Sequence, residues 1–530
     1  MSQIYHMQKN AAIPSRPVVS LDPATGEIWK EHISTSSDQV AGAVRAAREA
    51  QGAWDQLGID GRLKILRKFY RQLYLQRTEL ARLATREAGK PAAEAIVAEL
   101  ITSLDSVKYY LRNGKKILKT HTWRHQNIAL KAKRAMLVRR PWGVVGVITP
   151  WNYPLMLVVS TIFPALLAGN SVLLKPSEHT TQIALKVGEL LHGVGVPENV
   201  FQVLPGDGNA GAALLEHHVD RMVFTGSARA GRSVALAAAE KFIPVTLELG
   251  GSDPMIVLKD AALERAAAAA IWGRLINAGQ TCVAIKRVFV EAAVYEAFLN
   301  IVLKGIKNVR IGRGENPENE LGPMIRLSQI EILEEQLQDA IDKGAKVLFG
   351  GRRRPELGPQ FFEPAILSDV TSDMRVMQEE TFGPLLPIVP VADAEEAVRL
   401  ANATPYGLSA SIWTKDVGRA QKLALQIHAG SVTINDVAFY AGAADVPYGG
   451  FKNSGIGKNH GEAGLLDMVR EQYIDIEPFA WFYKPWWYRY SQKRVQQLDK
   501  FTAFLHSASL IERIKAIPAT LAMLIHRSKI

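Results

Sequence analysis

Cysteine is almost absent: Cys282 is the only one in 530 residues. A single thiol cannot close an internal disulfide, which fits a reducing compartment and predicts a cytoplasmic protein. It also excludes zinc sites built from several cysteines, and no metal site is expected. Long apolar runs are missing too, since none reaches the roughly 18 residues of a membrane-spanning helix. The opening MSQIYHMQKN has no apolar segment behind a positive charge, so it is not read as a secretory signal. Repeats of solenoid period are absent, which excludes a stacked-repeat architecture. Acidic residues are missing from one long stretch: Lys108 to Arg140 holds eleven basic residues and no Asp or Glu.

What is present is the composition of a soluble globular protein, 48% hydrophobic and 22% charged. The length exceeds one hydrophobic core, so two or three domains are expected. Residues 481–530 hold nine basic residues against Asp499 and Glu512. With the stretch from 108 to 140 they carry more positive charge than the whole chain's net +11, so the remainder is net acidic. The basicity is therefore local and marks surfaces suited to an anionic partner.

Along the chain, DPATGEIWKEH reads as a β-hairpin. Residues from about 38 to 116 have helical spacing of apolar positions. From 143 onward the texture changes to short apolar runs (GVVGVIT, SVLLK, VFQVL, RMVFTG, VTLEL), each followed by a helical stretch. A second such series runs from about 254 to 434 and includes RVFVEA, LPIVPV, SIWT and SVTIND. Strands alternating with helices imply parallel, doubly wound sheets, here two α/β sheets in tandem.

Three short strings carry chemistry. INAGQTC ends in the lone thiol, after a helix expected over about 260–277 and broken by Gly279, and before the strand VAIKRVFV. A thiol at such a junction lies where a backbone N–H can face a reacting oxygen. VTLELGG is a strand ending in Glu248 and two glycines. A carboxylate in an apolar strand end is desolvated, which raises its pKa and suits it to act as a base. TPWNYPL holds Asn152 among aromatics and prolines, a rigid amide donor of the kind a developing oxyanion needs.

Together and in this order these strings resemble the aldehyde dehydrogenase superfamily. The resemblance runs from about residue 20 to 475 and includes TPWNYPL, KPSE (175–178), FTGS (224–227), LELGG (247–251), GQTC (279–282), EETFGP (379–384) and PYGGFKNSG (447–455). It implies Cys282 as nucleophile, Asn152 with the Cys282 N–H as oxyanion donors, and Glu248 as the base that hydrolyses a thioester. Superfamily members that pass the acyl group to coenzyme A generally lack that glutamate, so Glu248 favours hydrolysis.

The resemblance also implies a dinucleotide site. Lys175 and Glu178 match residues that contact the adenosine ribose. A carboxylate there accepts from a free 2′-hydroxyl and repels a 2′-phosphate, so NAD is expected and Lys175 leaves NADP open. Gly226 and Ser227 open a helix whose free N–H groups suit a pyrophosphate. Glu380 and Phe382 match the holders of the nicotinamide ribose and ring, and Trp151 is expected on the same side. GDGNAG (206–211) fits G-x-G-x-x-G literally, but no acidic residue follows about 20 positions on. It is read as a tight turn near the cofactor, with Gly208 bordering the adenine pocket.

For the substrate, Ile276, Thr281 and Val283 flank the thiol and are not ionic. Trp272 either lines a tunnel or packs in the core. Lys286 and Arg287, as neighbours on a strand, cannot both face the pocket. With no carboxylate-binding cluster, an apolar medium- or long-chain aldehyde is favoured over a semialdehyde. Coenzyme A acylation and a catalytically silent scaffold are the alternatives.

The expected organisation is 1–120 with 142–250 for the dinucleotide, 251–445 for catalysis, 121–141 with 470–487 as an oligomerisation arm, and 488–530 as a basic amphipathic extension. A homodimer or homotetramer is implied. In the tail, Phe501, Phe504, Leu505, Ala508, Ile511 and Ile514 fall on one helical face, and Pro518 breaks the pattern. Trp481, Trp486, Trp487, Tyr488 and Tyr490 sit among Lys484 and Arg489, a mixture typical of a membrane interface. The extension resembles those of fatty aldehyde dehydrogenases. It is read as a membrane-surface anchor, with an arm on a neighbouring subunit as the competing reading. No base-reading module accompanies the charge, so nucleic acid is not an expected partner.

Overall fold

The computed structural model describes residues 17–127, 130–479, 484, 486–488 and 490–525. Trp481 and Arg489, named above in the tail, lie outside the described residues. The chain divides into two compact units: Met1–Lys119 with Arg140–Arg470, and Thr120–Arg139 with Glu471–Ile530.

The first unit holds two doubly wound α/β sheets. One has six strands in the order Gly455–Ile456, Val245–Glu248, Arg221–Thr225, Val144–Ile148, Ser171–Lys175, Phe201–Val203. All pairs are parallel except the first, where Gly455 lies opposite Glu248. Strands such as VVGVI and SVLLK are almost wholly buried, because helices cover both faces and leave no solvent side for polar residues. The helices Gly58–Leu75, Thr102–Ile117 and Met156–Ala168 pack on one face. Ser37–Gln56 and Gly208–Glu216 pack on the other. The order reverses between Val144–Ile148 and Arg221–Thr225. In a parallel sheet the loops diverge at that point and leave a crevice at the strands' carboxyl ends.

The other sheet has seven strands: Lys346–Phe349, Ala365–Ser368, Leu385–Val391, Ile285–Glu291, Asp253–Val257, Ser409–Trp413, Ser431–Ile434. Only the first of these is antiparallel to its neighbour. Near the N-terminus, Val18–Leu21 pairs antiparallel with Ile28–His32, the hairpin expected from the sequence.

The second unit contains most of the three-stranded sheet Val469–Ile476, Arg134–Pro141, His121–Trp123, and two C-terminal helices. These are Gln492–His506 and Leu510–Ile525, which pack on each other. The single helical face expected over 501–514 is therefore divided. Ser507 is extended and ends the first helix, so Phe501, Phe504 and Leu505 belong to one helix and Ile511 and Ile514 to the next. Pro518 does not break the second helix but sits inside it. Proline removes the hydrogen bond to the carbonyl four residues back, that of Ile514, and its ring crowds that carbonyl; Ile514 is exposed.

Candidate active site

The crevice at the sheet's reversal receives TPWNYPL directly after Val144–Ile148 and Gly226–Ser227 directly after Arg221–Thr225. A cavity of about 380 Å³ opens there. Cys282, Glu248 and Asn152, which come from three remote segments, all line it. So do Trp151, Gly226, Ser227, Glu380 and Phe382. Lys175, Glu178 and Gly208 are not among the lining residues.

Local backbone geometry presents the thiol. The helix before it ends at Leu275, earlier than the expected 277, because Asn277, Ala278 and Gly279 all have positive φ (54°, 54° and 75°). Three left-handed residues in a row reverse the chain. Non-glycine residues hold that conformation only where surrounding contacts impose it. Here the Arg274 guanidinium, fully buried, donates to the Gly279 carbonyl at 2.6 Å and to Ile285 at 2.9 Å. Lys286, also buried, donates from Nζ to the carbonyls of Thr281 (2.9 Å) and Cys282. Arg287 turns the other way and donates to the carbonyls of Ser252, Leu400 and Ala401. The two neighbours thus occupy opposite faces of their strand, as alternation demands.

The Sγ of Cys282 lies 3.4 Å from the Tyr448 hydroxyl. Burial pushes the thiol up to about 11, against the opposing pull of the Tyr448 contact and of Lys286. Glu248 is buried, and neither carboxylate oxygen has a hydrogen-bond partner among the described residues. Burial holds its pKa well above the ordinary carboxylate range. The nearby Lys458 opposes that shift and Asp467 adds to it.

Asn152 is pinned on both sides. Its amide Nδ2 donates to the Gln280 carbonyl at 3.0 Å. Its backbone carbonyl accepts from Lys90 Nζ at 2.8 Å and Asn277 Nδ2 at 2.9 Å. Lys90 is paired at 2.5 Å with Glu99, and both are fully buried. Glu99 also accepts from the backbone N–H groups of Leu155 and Met156. The next residue, Tyr153, is joined by its hydroxyl to Thr281 Oγ1 at 2.7 Å. The amide-bearing loop and the thiol-bearing turn are therefore one hydrogen-bonded body.

The remaining residues suit a dinucleotide. Ser227, which lines the cavity, caps the helix Ala228–Ala239. Trp151 and Phe382 meet edge to face at 5.4 Å between ring centroids. Glu380 accepts from the Gly251 N–H at 3.1 Å. A Cβ on Gly250 would stand 2.0 Å from the Glu380 carboxylate and would displace it. Lys175 Nζ lies 3.2 Å from Glu178 at the end of the neighbouring strand. Gly208 opens a helix capped by Asp207 that follows the sheet's edge strand in sequence and packs back on Val144–Ile148, where a Cβ on Gly211 would stand 3.1 Å from the Ile148 side chain.

Trp272 is 40% exposed and lines the cavity, so it is not a core residue. Val97, Met156, Leu157, Ile276 and Phe439 share that lining. Sequence reasoning passed over Tyr448, Lys90 and Arg326, and left open which of Lys286 and Arg287 faces the pocket. Tyr448 stood inside the quoted PYGGFKNSG, where a ring hydroxyl beside paired glycines was the available signal. Among the described residues no group of His, Cys, Asp or Glu is arranged to hold a metal ion.

The family described as "Aldehyde dehydrogenase family" matches residues 11–474. A relative from Methylomonas sp, named 4,4′-diapolycopene aldehyde oxidase, is 36% identical over 94% of this chain and 93% of its own. A relative from Mycobacterium ulcerans, named putative succinate-semialdehyde dehydrogenase [NADP(+)] 2, is 37% identical over 87% of this chain and 89% of its own. A solved aldehyde dehydrogenase from Mycobacterium tuberculosis, complexed with NAD+, superposes with a TM-score of 0.82 at 33% identity, covering 86% of this chain and 94% of that one.

Proposed function

The chain belongs to the aldehyde dehydrogenase family, and from that premise we propose that it oxidises an apolar aldehyde to its carboxylic acid, with NAD or NADP as hydride acceptor. The observation that carries this reading is the convergence of Cys282, Glu248 and Asn152 on one cavity. The Cys282 sulfur adds to the carbonyl carbon as a thiolate, its proton leaving to Glu248. Transfer from a buried thiol to a buried carboxylate moves one negative charge within the cavity and creates no new one, so both raised pKa values are compatible with it. The Asn152 amide and the Cys282 N–H hold the resulting oxyanion. Hydride acceptance is the chemistry that a bound nicotinamide supplies. Cys282 is then left as a thioester. Once Glu248 has passed the thiol's proton to solvent, it removes a proton from water, whose oxygen attacks the acyl carbon. The tetrahedral intermediate expels the Cys282 thiolate, which takes the proton back from Glu248, and the acid is released.

Trp151 and Phe382 would border the nicotinamide and Glu380 its ribose. Gly226 and Ser227 would meet the pyrophosphate, and Lys175 with Glu178 the adenosine ribose, with Gly208 toward the adenine. Residues 1–120 with 142–250 then serve the dinucleotide and 251–445 the acyl chemistry. The apolar preference is supported by Val97, Met156, Leu157, Trp272, Ile276 and Phe439 in the lining. It is also supported by the relative named for an apolar polyene aldehyde. That match covers 94% of this chain and so extends past residue 476 into the C-terminal extension. We read that extension as a membrane-surface anchor, and the chain as a homodimer or homotetramer.

The test is NADH or NADPH production over octanal, hexadecanal, benzaldehyde and succinic semialdehyde, with Cys282→Ala as control. The expected outcome is highest kcat/KM for a long apolar aldehyde and no turnover in the variant. Preference for succinic semialdehyde overturns the substrate class, and turnover by Cys282→Ala overturns the mechanism.

A further inference from the structure

Among the described residues that line the cavity, Arg326 is the only lysine or arginine. It precedes the helix Leu327–Asp342 in extended conformation, so its side chain leaves the helix terminus freely. Its guanidinium carbon stands 5.9 Å from the centre of the Trp151 ring. One terminal nitrogen donates to Ser328 Oγ at 3.2 Å. Its Nε is buried and has no hydrogen-bond partner among the described residues. A guanidinium held against an aromatic face with a donor unspent is suited to a pair of anionic oxygens.

The location narrows which anion. Arg326 stands beside the Trp151–Phe382 pair, and its charge reaches His179 in the Lys175–Glu178–His179 run. Burial, joined by the charges of Arg326 and Lys175 and opposed by Glu178, pushes His179 down to about 4. Gly226 and Ser227, the latter the cap of the helix Ala228–Ala239, line the same cavity. We propose that Arg326 is a ligand of the diphosphate of the bound dinucleotide, acting with the N–H groups of that helix. This rests on the dinucleotide reading above. It adds a side-chain cation to a site otherwise made of backbone donors, and assigns to the cofactor the one charged group that a semialdehyde's carboxylate would otherwise claim.

The test is binding without turnover: titration of wild type, Arg326→Gln and Arg326→Lys with NADH and with NADPH, followed by nicotinamide fluorescence. The expected result is an increase in Kd of about tenfold for both dinucleotides in Arg326→Gln, the loss of one charged hydrogen-bonding partner. Arg326→Lys should recover part of it. Unchanged affinities overturn the proposal. So does a loss confined to NADPH, which would make Arg326 a reader of the 2′-phosphate. A raised KM for succinic semialdehyde with dinucleotide affinity intact also overturns it, by placing the substrate's carboxylate there. If wild type binds neither dinucleotide, the cofactor reading itself fails.

Discussion

Tyr448 and Cys282 are 166 positions apart in sequence and 3.4 Å apart in space. A half-buried thiol whose desolvation pushes it up to about 11 is poorly nucleophilic at neutral pH, so whatever stabilises its thiolate matters. The Tyr448 hydroxyl can donate to that thiolate. With the thiol raised by burial, the thiolate fraction of the free protein should climb about tenfold per pH unit across pH 7 to 9. Alkylation of Cys282 by iodoacetamide should follow that slope, and a plateau below pH 7 would contradict it. Tyr448→Phe should slow alkylation roughly tenfold at each pH, since a hydrogen bond to a charged group is lost. Equal rates would mean that the contact does nothing for the thiolate. The same residues show what was legible. Cys282, Glu248 and Asn152 each sit in a short string whose composition signals a junction, a desolvated strand end or a rigid loop. Lys90 acts across a long separation and Lys286 through carbonyls, and no local pattern marks their roles; Tyr448 had only the paired glycines beside it as a signal.

At the scale of elements, the parallel strands were legible because burial on both faces makes them continuous apolar runs. The turn that presents the thiol was not. Asn277 and Ala278 are held in left-handed conformation by contacts from Arg274 and neighbouring loops; asparagine tolerates it, but nothing in the alanine asks for it. Gly279 is the residue that makes the turn possible. Its φ is 75°, and a Cβ there would lie 2.5 Å from the Gly383 carbonyl carbon, a backbone atom without room to yield. Gly279→Ala should therefore cost about 2–4 kcal/mol in urea unfolding, from left-handed strain plus overpacking. The variant that remains folded should bind NADH normally, yet lose at least tenfold in kcat as the thiol is displaced. Normal kcat together with lost stability would show that the turn supports the fold and not the geometry of attack.

Over the whole molecule, the C-terminal helices pose the question that the cavity does not. Ala516, Thr520 and Met523 of Leu510–Ile525 are buried, while Leu510, Ile511, Ile514, Ile517 and Leu521 are exposed on that helix. No helix among the described residues is long and apolar enough to cross a membrane. An exposed apolar row in a net basic tail can instead lie in an interface, with apolar side chains among acyl chains and cations at the headgroups. Each Lys or Arg near an anionic surface adds roughly 1 kcal/mol. The full chain should therefore float with anionic liposomes and be released progressively by salt. Ile511→Glu with Ile514→Glu should abolish flotation while leaving octanal oxidation unchanged, because neither residue lines the cavity. Equal flotation of both forms, or of neither, removes the anchor. Should the double variant instead change the oligomer's mass in light scattering, the same apolar row is a subunit contact. The aldehyde would then reach Cys282 from solution and not from lipid.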